Sequence, residues 1–423
     1  MPESLTPGAF TTLLQPGMRV FVPGSSNEPT GLLDAIQARP ECAAGVTFVQ
    51  FPLPGMNTVD FPGLHHEARM ESFFLSPAIR RSFDVGRVDF LPMHMRRVYD
   101  HVATCDRFDL VLIQVGMDAA GEYRHGPNVD FLEAALGNGV KVVAELNRAF
   151  EPAGGAPFID ADAIDYLIET EHALPELAPP VLDDVSRTIG RHVAELVPDG
   201  ACIQTGIGSI PAAVLSALSQ HNDLGLHGGL IDEAGFELVD TGVITGEHKA
   251  IDREVHVVGM ALGTQSLYAA LADRPDVDFR PARYTHEASV IAELDQFVSI
   301  NSAVEVDLLG QVSAEMVAGK QISGTGGSVD FMRGAATSPG GRSIVAMTAT
   351  ARGGEFSRIV PALNAGTAVT AARTDVDCVV TEFGVAQLKG RSVDARARAL
   401  IEIAHPDFRD ELRDAWKERR VRM

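Results

Sequence analysis

Three glycine-rich segments in the second half of the chain have the composition of phosphate and oxyanion sites. The first covers residues 202–218 (CIQTGIGSIPAAVLSAL), where a short strand pattern meets Gly206 and Gly208 ahead of a helix pattern. Glycine lets the backbone approach a ligand closely, and a helix N-terminus favours an anion. Pro211 stands where a dinucleotide fingerprint needs another glycine, so the pattern argues against a NAD site. An ordinary tight turn is the alternative.

The second segment covers residues 323–333 (SGTGGSVDFMR) and contains Gly324, Gly326 and Gly327. A loop of this kind exposes backbone N–H groups, which suits a developing oxyanion, a phosphate or a pantetheine chain. A surface loop that binds nothing can have the same composition.

The third segment covers residues 348–361 (TATARGGEFSRIVP), in which Arg352 and Arg358 flank Glu355. An arginine can hold a phosphate or carboxylate through two parallel hydrogen bonds, although a structural ion pair with the glutamate is the alternative. Ligands of open parallel sheets bind at the carboxyl ends of the strands. Three glycine-rich turns after strands therefore predict an extended, partly anionic ligand.

Alternating strand and helix patterns surround these segments and must position them. Strand patterns occur at residues 18–23, 108–115, 140–146, 255–260, 297–301, 343–348 and 378–383. Helix patterns occur at residues 185–196, 211–219, 267–272 and 393–403. Several strands carry few polar residues in succession, as strands buried on both faces do. The alternation predicts an α/β protein with mostly parallel sheets.

The length and one proline-rich segment predict two domains. A chain of 423 residues has room for two or three. Pro175, Pro179 and Pro180 form a linker-like run that a helix does not cross. We therefore predict two α/β domains, residues 1–185 and 186–423, with the glycine-rich segments in the second.

The charge balance argues against nucleic acid as a partner. The formal net charge is −22, and the one basic run, residues 417–422, is short and follows acidic residues, as a solvated helix end does. An anionic ligand must therefore be held by local positive charge or by backbone N–H groups against the overall field.

The four cysteines and the hydropathy pattern indicate a cytoplasmic protein. Cys42, Cys105, Cys202 and Cys378 are scattered, without the spacing of a zinc site, which suits a reducing compartment. No signal-peptide pattern is visible at residues 1–10. The longest uncharged stretch, from residue 201, is broken by glycine and proline, so no membrane span is expected.

A set of longer strings resembles the acetyl-CoA hydrolase/transferase family, which includes 4-hydroxybutyrate, butyrate and acetate CoA-transferases. Between residues 206 and 412 they are GIGSIP, DLGLH, GVITG, FVSINSAVEVDLLGQV, SGTGGSVDFMRGA, SRIVP, VVTEFGVAQLKGRS and IAHPDFRDEL. Weaker matches in the first half are SSNEPTGLLDAI, RRSFDVGRVDFLP and FDLVLIQVG.

The resemblance implies two α/β halves of CoA-transferase type with the active site in the cleft between them. It implies coenzyme A as a cosubstrate, acyl-CoA and a small carboxylate as partners, and a homodimer. No metal, NAD or flavin is expected.

The resemblance also assigns roles to individual residues. In the family a glutamate attacks the acyl-CoA carbonyl and forms an anhydride, then a glutamyl-CoA thioester, in a ping-pong scheme. Asn301 matches the asparagine that helps to bind the thioester oxygen, and Gly326 and Gly327 match the glycine loop that donates N–H groups to it. We assign CoA binding to Gly206, Gly208, Gly324, Gly326, Gly327, Arg352 and Arg358, with Lys320 as a further candidate.

The chain departs from the family at the nucleophile. After the string DLG(I/L)H the family typically has threonine, glutamate and methionine, whereas this chain has Gly228, Gly229 and Leu230. The GVITG string downstream aligns without a gap, so Gly229 occupies the position of the nucleophile. Glycine has no side chain to acylate.

Neighbouring residues offer weak substitutes. Asp232, Glu233 and Glu247 fit solvated or capping carboxylates better than a nucleophile, because a displacement of even ~1 Å is costly to one. His227 could position a water as a base, or it could be a packing residue.

Three functions remain open from the sequence. The family favours a CoA-transferase, which would use an unrecognised carboxylate. The loss of the glutamate favours a hydrolase on the same scaffold, which would cleave a thioester or a carbon–carbon bond of a CoA-linked β-dicarbonyl compound. A catalytically silent CoA-binding protein is the third.

Overall fold

The computed structural model describes residues 2–105, 107–137 and 140–422, which form two compact units. The first unit comprises Met1–Pro179, Gly229–Glu233 and Val255–Thr285. The second comprises Pro180–Gly228, Ala234–Glu254 and His286–Met423. The division into domains at residue 185 stays a prediction. No helix in the described ranges has the length and apolar character needed to cross a bilayer.

Residues up to 179 alternate strands with short helices. The strands are β1 (Glu3–Ser4), β2 (Arg19–Val22), β3 (Thr47–Gln50), β4 (Arg69–Ser72), β5 (Val88–Phe90), β6 (Leu110–Met117), β7 (Tyr123–His125), β8 (Lys141–Asn147) and β9 (Tyr166–Thr170). The helices are α1 (Pro7–Phe10), α2 (Thr30–Ala38), α3 (Phe61–Leu64), α4 (Arg80–Asp84), α5 (Met95–Thr104) and α6 (Leu132–Ala135).

The chain from residue 180 to residue 285 contributes to both units. Its strands are β10 (Cys202–Thr205), β11 (Gly225–Leu226), β12 (Leu230–Ile231), β13 (His256–Val258), β14 (Met260–Ala261) and β15 (Val277–Phe279). Its helices are α7 (Asp184–Ala194), α8 (Ser209–Ala217), α9 (Glu233–Asp240), α10 (Gln265–Ala272) and α11 (Ala282–Thr285).

The remaining residues complete the second unit. The strands are β16 (Val298–Ser302), β17 (Glu305–Asp307), β18 (Val312–Ser313), β19 (Met316–Val317), β20 (Lys320–Gln321), β21 (Arg342–Ala346), β22 (Thr350–Ala351), β23 (Phe356–Ser357), β24 (Ile359–Val360), β25 (Cys378–Thr381) and β26 (Gly384–Gln387). The helices are α12 (Ala288–Ile291), α13 (Ser328–Thr337), α14 (Val393–Glu402) and α15 (Arg409–Val421).

The sheet of the first unit has the order β1-β9-β8-β6-β2-β3-β4-β5 and is parallel along this path, while β7 pairs antiparallel with β6. Successive residues of β6 point to opposite faces of the sheet and pack in two different apolar clusters. Leu110 and Leu112 pack in one apolar cluster, and Val111 and Ile113 pack in the other. Both faces of the sheet are therefore covered, which explains the nearly unbroken apolar run of β6.

The main sheet of the second unit has the order β11-β10-β16-β21-β25-β26. It is parallel except for β26, which pairs antiparallel with β25. The helix before it, α7, begins where the Asp183 carboxylate accepts the N–H of Ser186 at 2.7 Å, a side-chain N-cap. The predicted α/β class is confirmed.

Candidate functional site

Asn301 lies near the carboxyl end of β16 with its side-chain amide fully engaged. Its Nδ2 donates to Gln204 Oε1 and to Ser299 Oγ, each at 3.0 Å. Its Oδ1 accepts from Gln204 Nε2 at 3.4 Å. All three residues are buried. In this state both amide hydrogens of Asn301 have partners, so donating to a thioester oxygen requires one of these bonds to open.

The turn after β10 lies beside this amide network. A Cβ on Gly206 would lie 3.5 Å from Asn301 Oδ1, which brings this glycine and the asparagine together. Gly208 is the N-cap of α8 with a φ of 109°, a conformation that favours glycine. The helix begins at Ser209, so Pro211 lies two residues further into the first turn than the sequence predicted. A glycine N-cap has no side chain to accept the first N–H groups of the helix. These N–H groups are therefore available to an anion.

The second glycine loop leads into α13. Gly327 is the N-cap of this helix, Gly326 has a φ of 59°, and Gly324 is buried. A Cβ on Gly326 would meet no atom within 4 Å, so space is open beside this residue. The loop follows the hairpin β19–β20 and does not directly follow a strand of the main sheet.

The basic candidates differ in burial. Arg358 is half-buried, its Nη1 donates to the carbonyl oxygen of Ala303 at 3.5 Å, and burial lowers its pKa from the ordinary value. Arg352 is exposed at the tip of the antiparallel hairpin β22–β23, with its guanidinium 5.5 Å from the ring centre of Phe356. Lys320 is exposed on β20. Of these three residues, Arg358 is the one with a described hydrogen bond to the segment that follows Asn301.

His227 is fully buried directly after β11. Its backbone N–H donates to Ile203 at 3.2 Å, and its ring meets the Phe297 ring edge-on at 6.3 Å between centres. His286 lies in the same aromatic cluster, and burial, with a further contribution from His227, lowers its pKa to about 3. These surroundings suit a packing residue, and a role for His227 as a base stays a prediction.

Gly229 belongs to the first unit and is held through its backbone. Its carbonyl oxygen accepts the N–H groups of Gly259 at 3.2 Å and Met260 at 3.1 Å, next to the pairing of β12 with β14. Its neighbour Gly228 belongs to the second unit, where a Cβ would lie 3.3 Å from Gln204 Cγ. The backbone at Gly229 is therefore fixed, while no side chain projects from it.

The three candidate substitutes differ in their surroundings. Glu233 accepts the backbone N–H of Thr264 at 2.6 Å at the start of α10 and so caps that helix. Glu247 is exposed and contacts Arg253 at 3.4 Å. Asp232 is partly buried. The interpretation of Glu233 and Glu247 as capping and solvated carboxylates agrees with these contacts.

A buried polar group that the sequence did not single out lies close to Gly229 within the first unit. Asp130 is 1% exposed, and burial raises its pKa from 3.8 to about 8. Its Oδ1 has no hydrogen-bond partner among the described residues. The only sequence signal was its place in the loop between β7 and β8, after Pro127 and Asn128.

A second missed group joins Glu145 and His172. The Glu145 carboxylate is fully buried and accepts from the N–H groups of Gly31 at 3.2 Å and Leu32 at 2.9 Å, at the start of α2. It also accepts from Thr170 at 2.8 Å and bonds to His172 Nε2. The hydrogen bond to Glu145 raises the pKa of His172. This carboxylate anchors a helix to the strand ends, and its oxygens already accept several hydrogen bonds, which leaves it unsuited to a nucleophilic role.

One cluster offers potential metal ligands. His65, His66 and Glu67 each provide one ligand atom, all within 4.8 Å of one another. Two of the three residues are exposed, and they are consecutive in the chain. Such clusters are common on surfaces without an ion, so the expectation that the chain has no metal cofactor stays a prediction.

The fold and these groups define a class: an α/β enzyme in which a parallel strand leads into the glycine-capped helix α8, and a buried amide network lies beside that turn. Residues 5–177 match the acetyl-CoA hydrolase/transferase N-terminal domain, and residues 263–416 match the C-terminal domain. The chain is 40% identical over 404 residues to 4-hydroxybutyrate coenzyme A transferase from Clostridium kluyveri, covering 95% of this chain and 94% of the relative.

Two further comparisons agree. The chain is 35% identical over 413 residues to a succinyl-CoA:cyclohexane-1-carboxylate CoA transferase from Geobacter metallireducens, covering 97% of this chain and 94% of the relative. The crystal structure of RipA from Yersinia pestis superposes with a TM-score of 0.91 at 32% identity, covering 99% of this chain and 98% of that one. The chain belongs to the acetyl-CoA hydrolase/transferase family, and the resemblance stated from the sequence is confirmed.

Proposed function

We propose that this enzyme hydrolyses an acyl-CoA thioester, with water as the attacking species. One observation carries the proposal. Gly229 stands at the position that the family resemblance assigns to the glutamate nucleophile, and it has no side chain to form an anhydride. Covalent transfer requires such a carboxylate.

Two of the carboxylates nearest in sequence, Glu233 and Glu247, give no support to a substitute nucleophile. Glu233 is held by the backbone of Thr264, and Glu247 lies exposed beside Arg253. A nucleophile must be ionised and free to approach the carbonyl carbon. Asp130, which packs near Gly229, is 1% exposed with its Oδ1 against Gly259, so its carboxylate is not free to approach a carbonyl carbon itself.

Coenzyme A binding rests on the second unit. The glycine N-caps of α8 and α13 present helix N-termini to an anion, and Arg358 offers a half-buried positive charge near Asn301. We keep Asn301, Gly326 and Gly327 as donors to the thioester oxygen, and Arg352 as a more peripheral contact. A homodimer in the cytoplasm remains part of this proposal.

CoA transfer to a small carboxylate is the second candidate. It is favoured by the two relatives, both of which are named as CoA transferases and are matched over at least 95% of this chain. A catalytically silent CoA-binding protein is the third, and the retained amide network and glycine loop count against it.

Incubation with a panel of acyl-CoAs, with and without acetate, separates these functions. Free thiol is followed by a colorimetric reagent, and acyl exchange is followed by mass spectrometry. Thiol release without acetate supports hydrolysis. Exchange that depends on acetate, together with an adduct trapped by hydroxylamine, establishes transfer instead. Binding of CoA without any turnover establishes the silent protein.

A further inference from the structure

A small cavity in the first unit is lined by Asp130, whose Oδ1 has no hydrogen-bond partner among the described residues. Its volume is about 20 Å³, counted as the space that the centre of a water molecule can occupy. About 10–15 Å³ on this measure holds one water. Most of the wall is apolar, with Phe51, Phe131 and Met260 among its residues, and the polar side chains are Ser25, Asn128 and Asp130. The cavity is therefore large enough for one water molecule, and its polar side chains can form hydrogen bonds with that water.

The backbone of Asp130 is fixed from two sides. The backbone N–H of Asp130 donates to Asn128 Oδ1 at 3.0 Å, and its carbonyl oxygen accepts the N–H of Ala282 at 2.9 Å. Gly259 packs against the carboxyl group, because a Cβ on this residue would lie 2.1 Å from Asp130 Oδ1. The carboxyl group of Asp130 therefore occupies space that a side chain at residue 259 would fill, and glycine at this position leaves that space open.

Ser25 completes the polar part of the cavity in an unusual backbone conformation. Its φ is 60°, in the left-handed region that residues with a side chain rarely adopt. Asn57 Oδ1 accepts its N–H at 2.7 Å, and its hydroxyl contacts Met260 Sδ at 3.3 Å. A conformation of this kind persists only where the surroundings impose it.

The cavity adjoins the position of the missing nucleophile. The Cβ position on Gly259 that meets Asp130 also lies 3.1 Å from the carbonyl oxygen of Gly229. That oxygen accepts the N–H of Met260, which lines the cavity. One peptide segment therefore contacts both Gly229 and the acid.

We propose that Asp130 is the general base that binds and activates the hydrolytic water in this cavity. This inference rests on the proposed thioester hydrolysis. The Asp130 carboxylate accepts a proton from the water as the water oxygen bonds to the thioester carbonyl carbon. The carbon–sulfur bond then breaks, and the proton passes to the leaving CoA thiolate. The products are the free acid and CoA, with no other reactant.

The environment of Asp130 gives it suitable basicity. Burial raises its pKa to about 8, and general bases work best when their pKa is near the working pH. Among the described residues that line the cavity, Asp130 is the only titratable one. The raised pKa of Asp130 is therefore caused by burial and not by a charged residue in the cavity wall.

The test compares the wild type with Asp130→Asn and with Asp89→Asn, which removes an exposed carboxylate from β5 in the same unit. Turnover of an acyl-CoA is measured in H₂¹⁸O without acetate, and thermal unfolding checks the fold. We expect one ¹⁸O atom from water in the acid product. Turnover should fall about 100-fold or more in Asp130→Asn and stay unchanged in Asp89→Asn.

A pH profile of the wild type tests the inference without any variant. The value of kcat/KM should rise about tenfold per pH unit below about pH 8 and level off above it, because only ionised Asp130 accepts the proton. A flat or falling profile overturns the role of Asp130, as does Asp130→Asn with turnover within threefold of wild type. If the wild type instead requires acetate and incorporates no ¹⁸O, the proposed hydrolysis itself fails.

Discussion

The carboxyl group of Asp130 lies where a side chain at residue 259 would begin, with its Oδ1 2.1 Å from the Cβ position on Gly259. Substitution of Gly259 by alanine must therefore displace either the acid or the peptide that contacts Gly229. We expect Gly259→Ala to lower turnover by about 100-fold, since a displacement of ~1 Å can have this effect.

Steady-state kinetics of Gly259→Ala check this prediction, with Gly137→Ala measured in parallel as the control. A Cβ on Gly137 makes only an ordinary contact, at 3.7 Å from Ala134, and should leave turnover unchanged. Equal activities of the two variants would show that the close packing of Gly259 against Asp130 has no part in catalysis.

The raised pKa of Asp130 makes stability depend on pH. Below about pH 4 the carboxyl is protonated in both the folded and the unfolded chain, so it contributes nothing. Between pH 4 and its folded pKa of about 8 the unfolded chain loses the proton while the folded chain keeps it, which lowers the free energy of unfolding.

Asp130→Asn removes this penalty. The free energy of unfolding of the variant minus that of the wild type should therefore increase from pH 5 to pH 8, by about 1 kcal/mol or more. Urea denaturation at three pH values measures it. A difference that stays constant over this range contradicts the assignment of a neutral buried acid.

Restoring the glutamate should restore covalent chemistry. Gly229→Glu places a carboxylate at the position that the family resemblance assigns to the glutamate, on a backbone already fixed by the N–H groups of Gly259 and Met260. We expect an adduct trapped by hydroxylamine and acyl exchange with acetate. Gly229→Gln has nearly the same size without the carboxylate and is the matched control. An adduct in the wild type or in Gly229→Gln would mean that another residue is acylated.

The amide of Asn301 should matter for turnover more than for CoA binding. Asn301→Ala removes a donor that can reach a developing oxyanion, and a loss of about 100-fold in kcat is expected. It also leaves Gln204 Oε1 and Ser299 Oγ without the bonds that they accept. Ser299→Ala removes one of these hydrogen-bond partners but keeps the Asn301 amide. It is therefore the control that distinguishes a loss of packing from a loss of the catalytic donor. An effect of Asn301→Ala below a few-fold would exclude Asn301 from the mechanism.

The pair of His172 and Glu145 should stabilise the first unit at low pH. The hydrogen bond between His172 and Glu145 raises the pKa of His172 above 6.5. The stabilisation is therefore fully present below about pH 6.5 and is lost as the pH rises through the pKa of His172 in the folded chain. His172→Gln should therefore destabilise the protein more at pH 6 than at pH 9, as measured by urea denaturation. Equal losses at both values would show that the histidine is neutral in the folded chain.

The sequence by itself determined the class of fold, because the signals are local. The strand predicted at residues 108–115 corresponds to Leu110–Met117, and the helix predicted at residues 185–196 corresponds to Asp184–Ala194. The strand predictions at residues 297–301 and 343–348 correspond to Val298–Ser302 and Arg342–Ala346. The glycine turn at Gly208 could also be predicted from the sequence, and the departure from the family at Gly229 stays a prediction.

Only the tertiary structure decided which polar groups meet. Ser25, Asp130 and Gly259 are separated by more than a hundred residues each, and none has a recognisable motif. The burial of Asp130 and the hydrogen bonds of Asn301 to Gln204 depend on parallel strands that come together through long crossovers. Periodicity predicts that a residue lies in a strand or loop, but the chemistry of a carboxyl group is set by neighbours that only the packed sheet brings within reach.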